Sequence, residues 1–119
     1  MEIISPNEIA KKAFVKSLFT APDVTLQELL PKSNEFRINI VNFGKGVRNK
    51  LHYHSTEQIL IVTEGAGIVA TEHQEHLVKV GDIVRIPAKL KHWHGAQKNS
   101  TFSHIYITSI DCEITQIEA

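Results

Sequence analysis

The sequence predicts an all-β domain, a small sandwich or barrel. Three observations carry that prediction. Short apolar runs follow one another closely after Asp23, several with period-two alternation, as in FRINIVNF (36–43) and FSHIYITSI (102–110). Gly, Pro and Asp punctuate the runs. The chain has 119 residues, enough for one domain with a real core and too few for two. Residues 1–119 therefore read as a single domain, with a barrel core over about 34–110 and an N-terminal helix and edge strand over 5–30.

In chain order, Ser5-Pro6-Asn7-Glu8 has the form of a helix start. Ser5 can cap, Pro6 suits the first helical position, and Glu8 completes a capping box. A short helix through about Val15 is predicted. DVTLQELL (23–30) alternates and predicts a strand with Val24, Leu26 and Glu28 on one side. FRINIVNF is the next strand, ended by Gly44 and Gly46. QILIVTEG (58–65) predicts a strand closing on a turn at Gly65-Ala66-Gly67. GIVATE (67–72) and HLVKV (76–80) flank the polar His73-Gln74-Glu75 and predict a hairpin. Gly81-Asp82 turns the chain into IVRIP (83–87), and Ala88-Lys89-Leu90-Lys91 turns it again before His92. FSHIYITSI is the last strong strand. The tail beyond Ile110 is expected to pair, if at all, as an edge strand.

Lys+Arg and Asp+Glu both number 13, so the formal net charge is zero. No basic field points to nucleic acid, and no acidic run points to a tail. The N-terminal MEIISPNEIAKKAF has no apolar segment of signal-peptide kind, and no run is long enough to span a bilayer. Cys112 is the only cysteine, so no intrachain disulfide forms. A soluble, cytoplasmic domain is expected, with no membrane or nucleic-acid partner.

The unusual content is seven histidines, all between residues 52 and 104. In a strand, residues of equal parity share a face. His52, His54 and Gln58 then fall on one face and Glu57 on the other. Two imidazoles at i and i+2 on a rigid strand can reach one metal ion, and Gln58 can add its amide oxygen. His92-Trp93-His94 repeats the pairing, with Trp93 on the opposite, packing face. Burying four imidazoles to no purpose is costly. His73 and His76, at the hairpin tip, read as surface residues. His104 is either a pocket residue or an outer one. Asn39, Val41, Tyr106 and Thr108 are candidate wall residues.

Gly46, five residues, His52, one residue, His54, three residues, Gln58, six residues and Gly65 resembles the first motif of the cupin superfamily. Gly81, five residues, Pro87 and then His92 resembles the second. Three positions depart from the usual pattern. Gln58 stands where glutamate is usual, Lys89 where glycine is, and Ala96 where asparagine is. The resemblance covers roughly residues 19 to 110. It implies a cupin β-barrel of jelly-roll type with one divalent transition-metal ion, held by His52, His54, Gln58 and His92. The runs EQILIVTEGAG and KHWHGA are similar to a group of small cupins that includes manganese-dependent hydroxynitrile lyases. That likeness puts manganese first, with iron, nickel, zinc or cobalt as the other ions, and makes His94 the catalytic, proton-handling residue. It implies a small-molecule substrate and a homodimer, with DVTLQELL and FSHIYITSI as pairing edges. Small cupins acting on unsaturated uronates offer a second analogy.

Three imidazoles and an amide are all neutral and leave the full dipositive charge on an ion. Such a centre suits Lewis-acid work on a hydroxyl or carbonyl oxygen, in a lyase or isomerase. A metal-dependent dioxygenase and a non-catalytic small-molecule-binding cupin are the alternatives.

Overall fold

The alternating runs fold into ten strands in a computed structural model that describes all of residues 1–119. They are β1 (Lys12–Ala13), β2 (Val24–Glu28), β3 (Phe36–Phe43), β4 (His52–His54), β5 (Gln58–Thr71), β6 (Glu75–Lys79), β7 (Ile83–Ile86), β8 (His92–Ala96), β9 (Phe102–Ser109) and β10 (Ile114–Gln116). All pair antiparallel in one curled sheet that forms a half-barrel. The path is β1-β2-β3-β9-β5-β8-β4-β10, with β6 and β7 also on β5. The all-β architecture read from the sequence is the one observed.

β5 bends the sheet round on itself. Its first half pairs with β7 and β9, and its second half with β6 and β8. The sequence predicts a break at Gly65-Ala66-Gly67, but the strand runs through it. The two glycines serve another purpose. Gly65 takes a φ of 71°, open to glycine at little cost, and a side chain at Gly67 would strike the Phe102 ring. A bulge between Val62 and Glu64 inserts a residue and moves the inward face from even to odd numbers. Gln58, Leu60 and Val62 are buried before it, Gly67 and Val69 after it. The core gathers where the halves face each other. Phe43 stacks on Phe102 (5.9 Å) and meets Phe19 edge-on (5.8 Å), beside Leu60, Val62 and Val69. Each such burial stabilises by about 1.5–3 kcal/mol.

The predicted N-terminal helix is only a 3-10 turn at Pro6–Glu8, and the Ser5 side chain makes no capping bond. The residues that follow are almost all exposed and offer no apolar stripe for a helix to bury. The sheet claims them instead. Gln27 Nε2 donates to the carbonyls of Pro6 (3.0 Å) and Ile9 (2.9 Å), and Lys12–Ala13 pairs with β2. Neither predicted pairing edge is an edge: β2 lies between β1 and β3, and β9 between β3 and β5. The tail does pair at an edge, as β10 on β4. No helix is long and apolar enough to cross a membrane.

Candidate metal centre

Three imidazoles converge because two short strands lie side by side. His52 of β4 is the direct partner of His92 of β8, and His54 follows two residues on. The ring centroids of His52 and His92 are 4.4 Å apart, and those of His52 and His54 5.1 Å. One nitrogen from each of the three rings lies within 4.8 Å of the others. Two metal–nitrogen bonds of about 2.1 Å span about 3.0 Å at right angles and at most about 4.2 Å, so sharing an ion asks the rings to draw in by about half an ångström or more.

The backbone orients these rings. His52 Nδ1 meets the Lys50 carbonyl at 2.6 Å, and His92 Nδ1 meets that of Leu90 at 2.8 Å. A carbonyl only accepts, so each Nδ1 carries the proton and each Nε2 keeps its lone pair. His54 Nδ1 faces the Cys112 sulfur at 3.5 Å. His54 Nε2, His92 Nε2 and Gln58 Oε1 are buried without any partner in the protein. Unpartnered buried acceptors are rare and fit a cation. Burial first, and then the neighbouring His92, pushes His52 from 6.5 to about 3 and His54 to about 4. Burial also lowers His92. All three rings are neutral at pH 7, the form that binds metal.

Gln58 is 4% exposed and lines a cavity of about 350 Å³ together with His52 and His54. Glu57 points outward and pairs with Arg85 at 2.9 Å, as parity requires. Trp93 lies on the opposite face, under the Arg48 guanidinium (4.7 Å). His73 and His76 are exposed at the tip of the β5–β6 hairpin.

His94 lines the same cavity with different hydrogen-bond partners. Asn49 Oδ1 accepts from its backbone N–H at 2.8 Å, which turns Asn49 Nδ2 toward the ring, 3.2 Å from Nε2 and 3.4 Å from Nδ1. His94 Nδ1 is 3.2 Å from His104 Nε2. His104 is inward and fully buried. Complete burial first, then His104, holds His94 well below 6.5, and burial lowers His104 to about 4.

Of the wall candidates, Val41, Tyr106 and Thr108 line the cavity, and Asn39 stands behind Tyr106, donating to its hydroxyl at 2.8 Å. Asn49, Cys112, Lys16 and Arg37 also line it, and sequence reasoning passed over them. Only the cross-strand register and the path of the tail bring them in.

A curled antiparallel half-barrel with a buried imidazole triad that could hold a metal ion defines a β-barrel protein with a candidate metal site. Residues 39–108 match the Cupin domain family, and the chain belongs to that family. It is 37% identical over 68 residues to (R)-mandelonitrile lyase of Granulicella tundricola, covering 56% of this chain. The chain spans about half of that protein, 52% of its length. It resembles a cupin-like protein of Thermotoga maritima (TM-score 0.82, 29% identity, 90% of this chain and 84% of that one). The fold also matches the polyketide cyclase RemF of Streptomyces resistomycificus (TM-score 0.87, 13% identity, 100% and 87%).

Proposed function

We propose that the protein is a metal-dependent small-molecule enzyme, a lyase or isomerase related in chemistry to hydroxynitrile lyases. His52, His54, His92 and Gln58 would hold one divalent ion, manganese before iron, nickel, zinc or cobalt. The observation that carries this reading is the set of buried, unpartnered atoms, the acceptors His92 Nε2 and Gln58 Oε1 with His54 Nε2, beside neutral His52. When bound, the ion would supply a Lewis acid for a hydroxyl or carbonyl oxygen. The similarity to a mandelonitrile lyase supports the class of reaction.

His94 is the residue for the proton. A cyanohydrin hydroxyl gives up its proton, the bond to the nitrile carbon breaks, and the departing cyanide takes a proton up. A neutral imidazole at the cavity wall can accept and return it. To do so, His94 must exchange its Asn49 bond for the substrate hydroxyl. That engagement favours the second reading, a non-catalytic small-molecule-binding cupin. The neutral ligand set disfavours the dioxygenase.

Elemental mass spectrometry of the wild type beside His54→Ala is the test. About one equivalent of a transition metal, absent from the variant, is expected. Metal content indifferent to the substitution would sink the reading. His94→Ala should keep its metal and lose turnover of cyanohydrins; a binder would have no turnover to lose. The homodimer belongs to the same proposal. Leu77 and Ile83, 73% and 71% exposed on β6 and β7, offer it an apolar surface. Light scattering giving monomer mass at micromolar concentration would remove it.

A further inference from the structure

The cavity carries two cationic side chains. Arg37 and Lys16 line it, and none of its 16 lining residues is acidic. Neither cation forms a salt bridge. Glu28, opposite Asn39 across β2 and β3, is engaged by Lys12 at 3.9 Å. Arg37 stands directly opposite Thr108 in the β3–β9 register, and the next inward pair is Asn39 and Tyr106.

The donors on this wall are held in place and left open. Arg37 Nη2 donates to the Ile110 carbonyl at 3.0 Å and Nη1 to that of Cys112 at 3.4 Å. These bonds fix the guanidinium and leave three of its five N–H donors without a protein partner. The Thr108 hydroxyl is buried with no partner, in a residue 4% exposed. The Tyr106 oxygen accepts from Asn39, so its own O–H remains free to donate. Cys112 joins the two ends of the cavity: its carbonyl takes the Arg37 bond while its sulfur faces His54.

We propose that the substrate is a small organic acid. Its carboxylate lies against Arg37 and Thr108 with Lys16 alongside, and its hydroxyl or carbonyl oxygen faces the imidazole triad. The second contact rests on the metal reading above; the first does not. A guanidinium with open donors matches a planar carboxylate in geometry and charge, and a buried hydroxyl with no acceptor is costly until one arrives. A neutral cyanohydrin offers Thr108 an acceptor but brings no charge to Arg37.

The probes are (R)-mandelate and (R)-mandelamide, which share the ring and the hydroxyl and differ in charge. Calorimetric titration is run on manganese-loaded and on chelator-treated protein, with metal content measured in each. Wild type should bind mandelate about ten-fold tighter, about 1.4 kcal/mol. Arg37→Gln should abolish the preference, and Thr108→Val should reduce it with little change in shape. If Arg37→Gln does not fold, Thr108→Val and the fall of the preference with added salt decide. Equal affinities in wild type, or a preference surviving Arg37→Gln, would overturn the proposal. A wild type that takes up no metal but still prefers mandelate would overturn only the metal-enzyme reading. A fully loaded wild type without the preference would overturn only this one.

Discussion

His92 and His94 share one strand and one face, yet they belong to two different imidazole clusters. Their rings stack 15° from parallel with centroids 5.8 Å apart. Toward one side, His92 joins His52 and His54, where backbone carbonyls and the Cys112 sulfur take the Nδ1 sides and the inward acceptors have no partner. Toward the other, His94 meets His104 and Asn49, and its ring is hydrogen-bonded within the protein. Residue type and burial are nearly the same. The difference lies in where each ring's hydrogen bonds go. A cluster whose inward ring nitrogens are left open fits a cation; in the other the central ring, His94, is bonded at both nitrogens and held in position, with only the outlying His104 Nδ1 buried and unpartnered.

The largest test of this contrast is pH. Unfolded imidazoles take up protons near 6.5, whereas folded His52 does so only at about 3, and His54 and His104 at about 4. Between those limits the unfolded state binds more protons, so stability falls as pH falls. It is fully present above about 6.5, and the loss is complete only below the folded values. At about 1.4 kcal/mol per pKa unit, the buried rings together cost several kcal/mol across that window. Melting of metal-free protein from pH 7 to pH 4 measures it. His104→Gln should flatten the slope and leave metal content unchanged. His52→Gln should flatten it and lose the metal. A flat melting profile would mean that the rings are not buried as described.

A smaller effect is expected at Asn49. Asn49→Ala removes the acceptor for the His94 backbone N–H and the donor to its ring. Leaving those groups buried and unpaired costs about 1–3 kcal/mol by thermal or urea unfolding. No Asn49 side-chain bond reaches the triad, so manganese affinity should stay the same. A drop in metal content would show the two clusters to be one coupled network.

How far the sequence reveals this division follows from the same geometry. Parity alone puts His52, His54 and Gln58 on one face and turns Glu57 and Trp93 away, because strand alternation is a local rule. It also puts His92 and His94 together, but it cannot separate their roles, which depend on Asn49 and His104 arriving from elsewhere in the chain. His104 stays ambiguous until register sets it opposite Val41 and Val62. Arg37 gives no signal within an ordinary alternating strand. Local rules fail where tertiary structure overrides them: a capping pattern at Ser5 with no apolar face behind it, and two glycines that read as a turn but let a strand bend past Phe102 and Thr101.

The smallest effect lies at Lys89, and it sharpens the contrast from the metal side. Lys89 occupies the position where the family pattern has glycine, and its φ is 70°, in the left-handed region. A side chain there costs roughly 1–2 kcal/mol, partly offset because lysine restricts the unfolded chain more than glycine does. The turn it shapes supports two members of the triad. The Lys89 N–H donates to the His54 carbonyl at 2.8 Å, and the carbonyl of the next residue, Leu90, accepts from His92 Nδ1 at 2.8 Å. Neither bond uses the lysine side chain, whose ammonium sits 5.6 Å from the Tyr53 ring centroid at the surface. Lys89→Gly relieves the backbone and keeps both bonds, so denaturant unfolding should show a gain of up to about 1 kcal/mol. Metal affinity should hold or rise slightly, and nothing should change at His94. A loss of stability would mean that the lysine's contact with Tyr53 outweighs its backbone strain. Weaker metal binding would mean that His54 and His92 owe their positions to the stiffness of this turn as well as to its two hydrogen bonds.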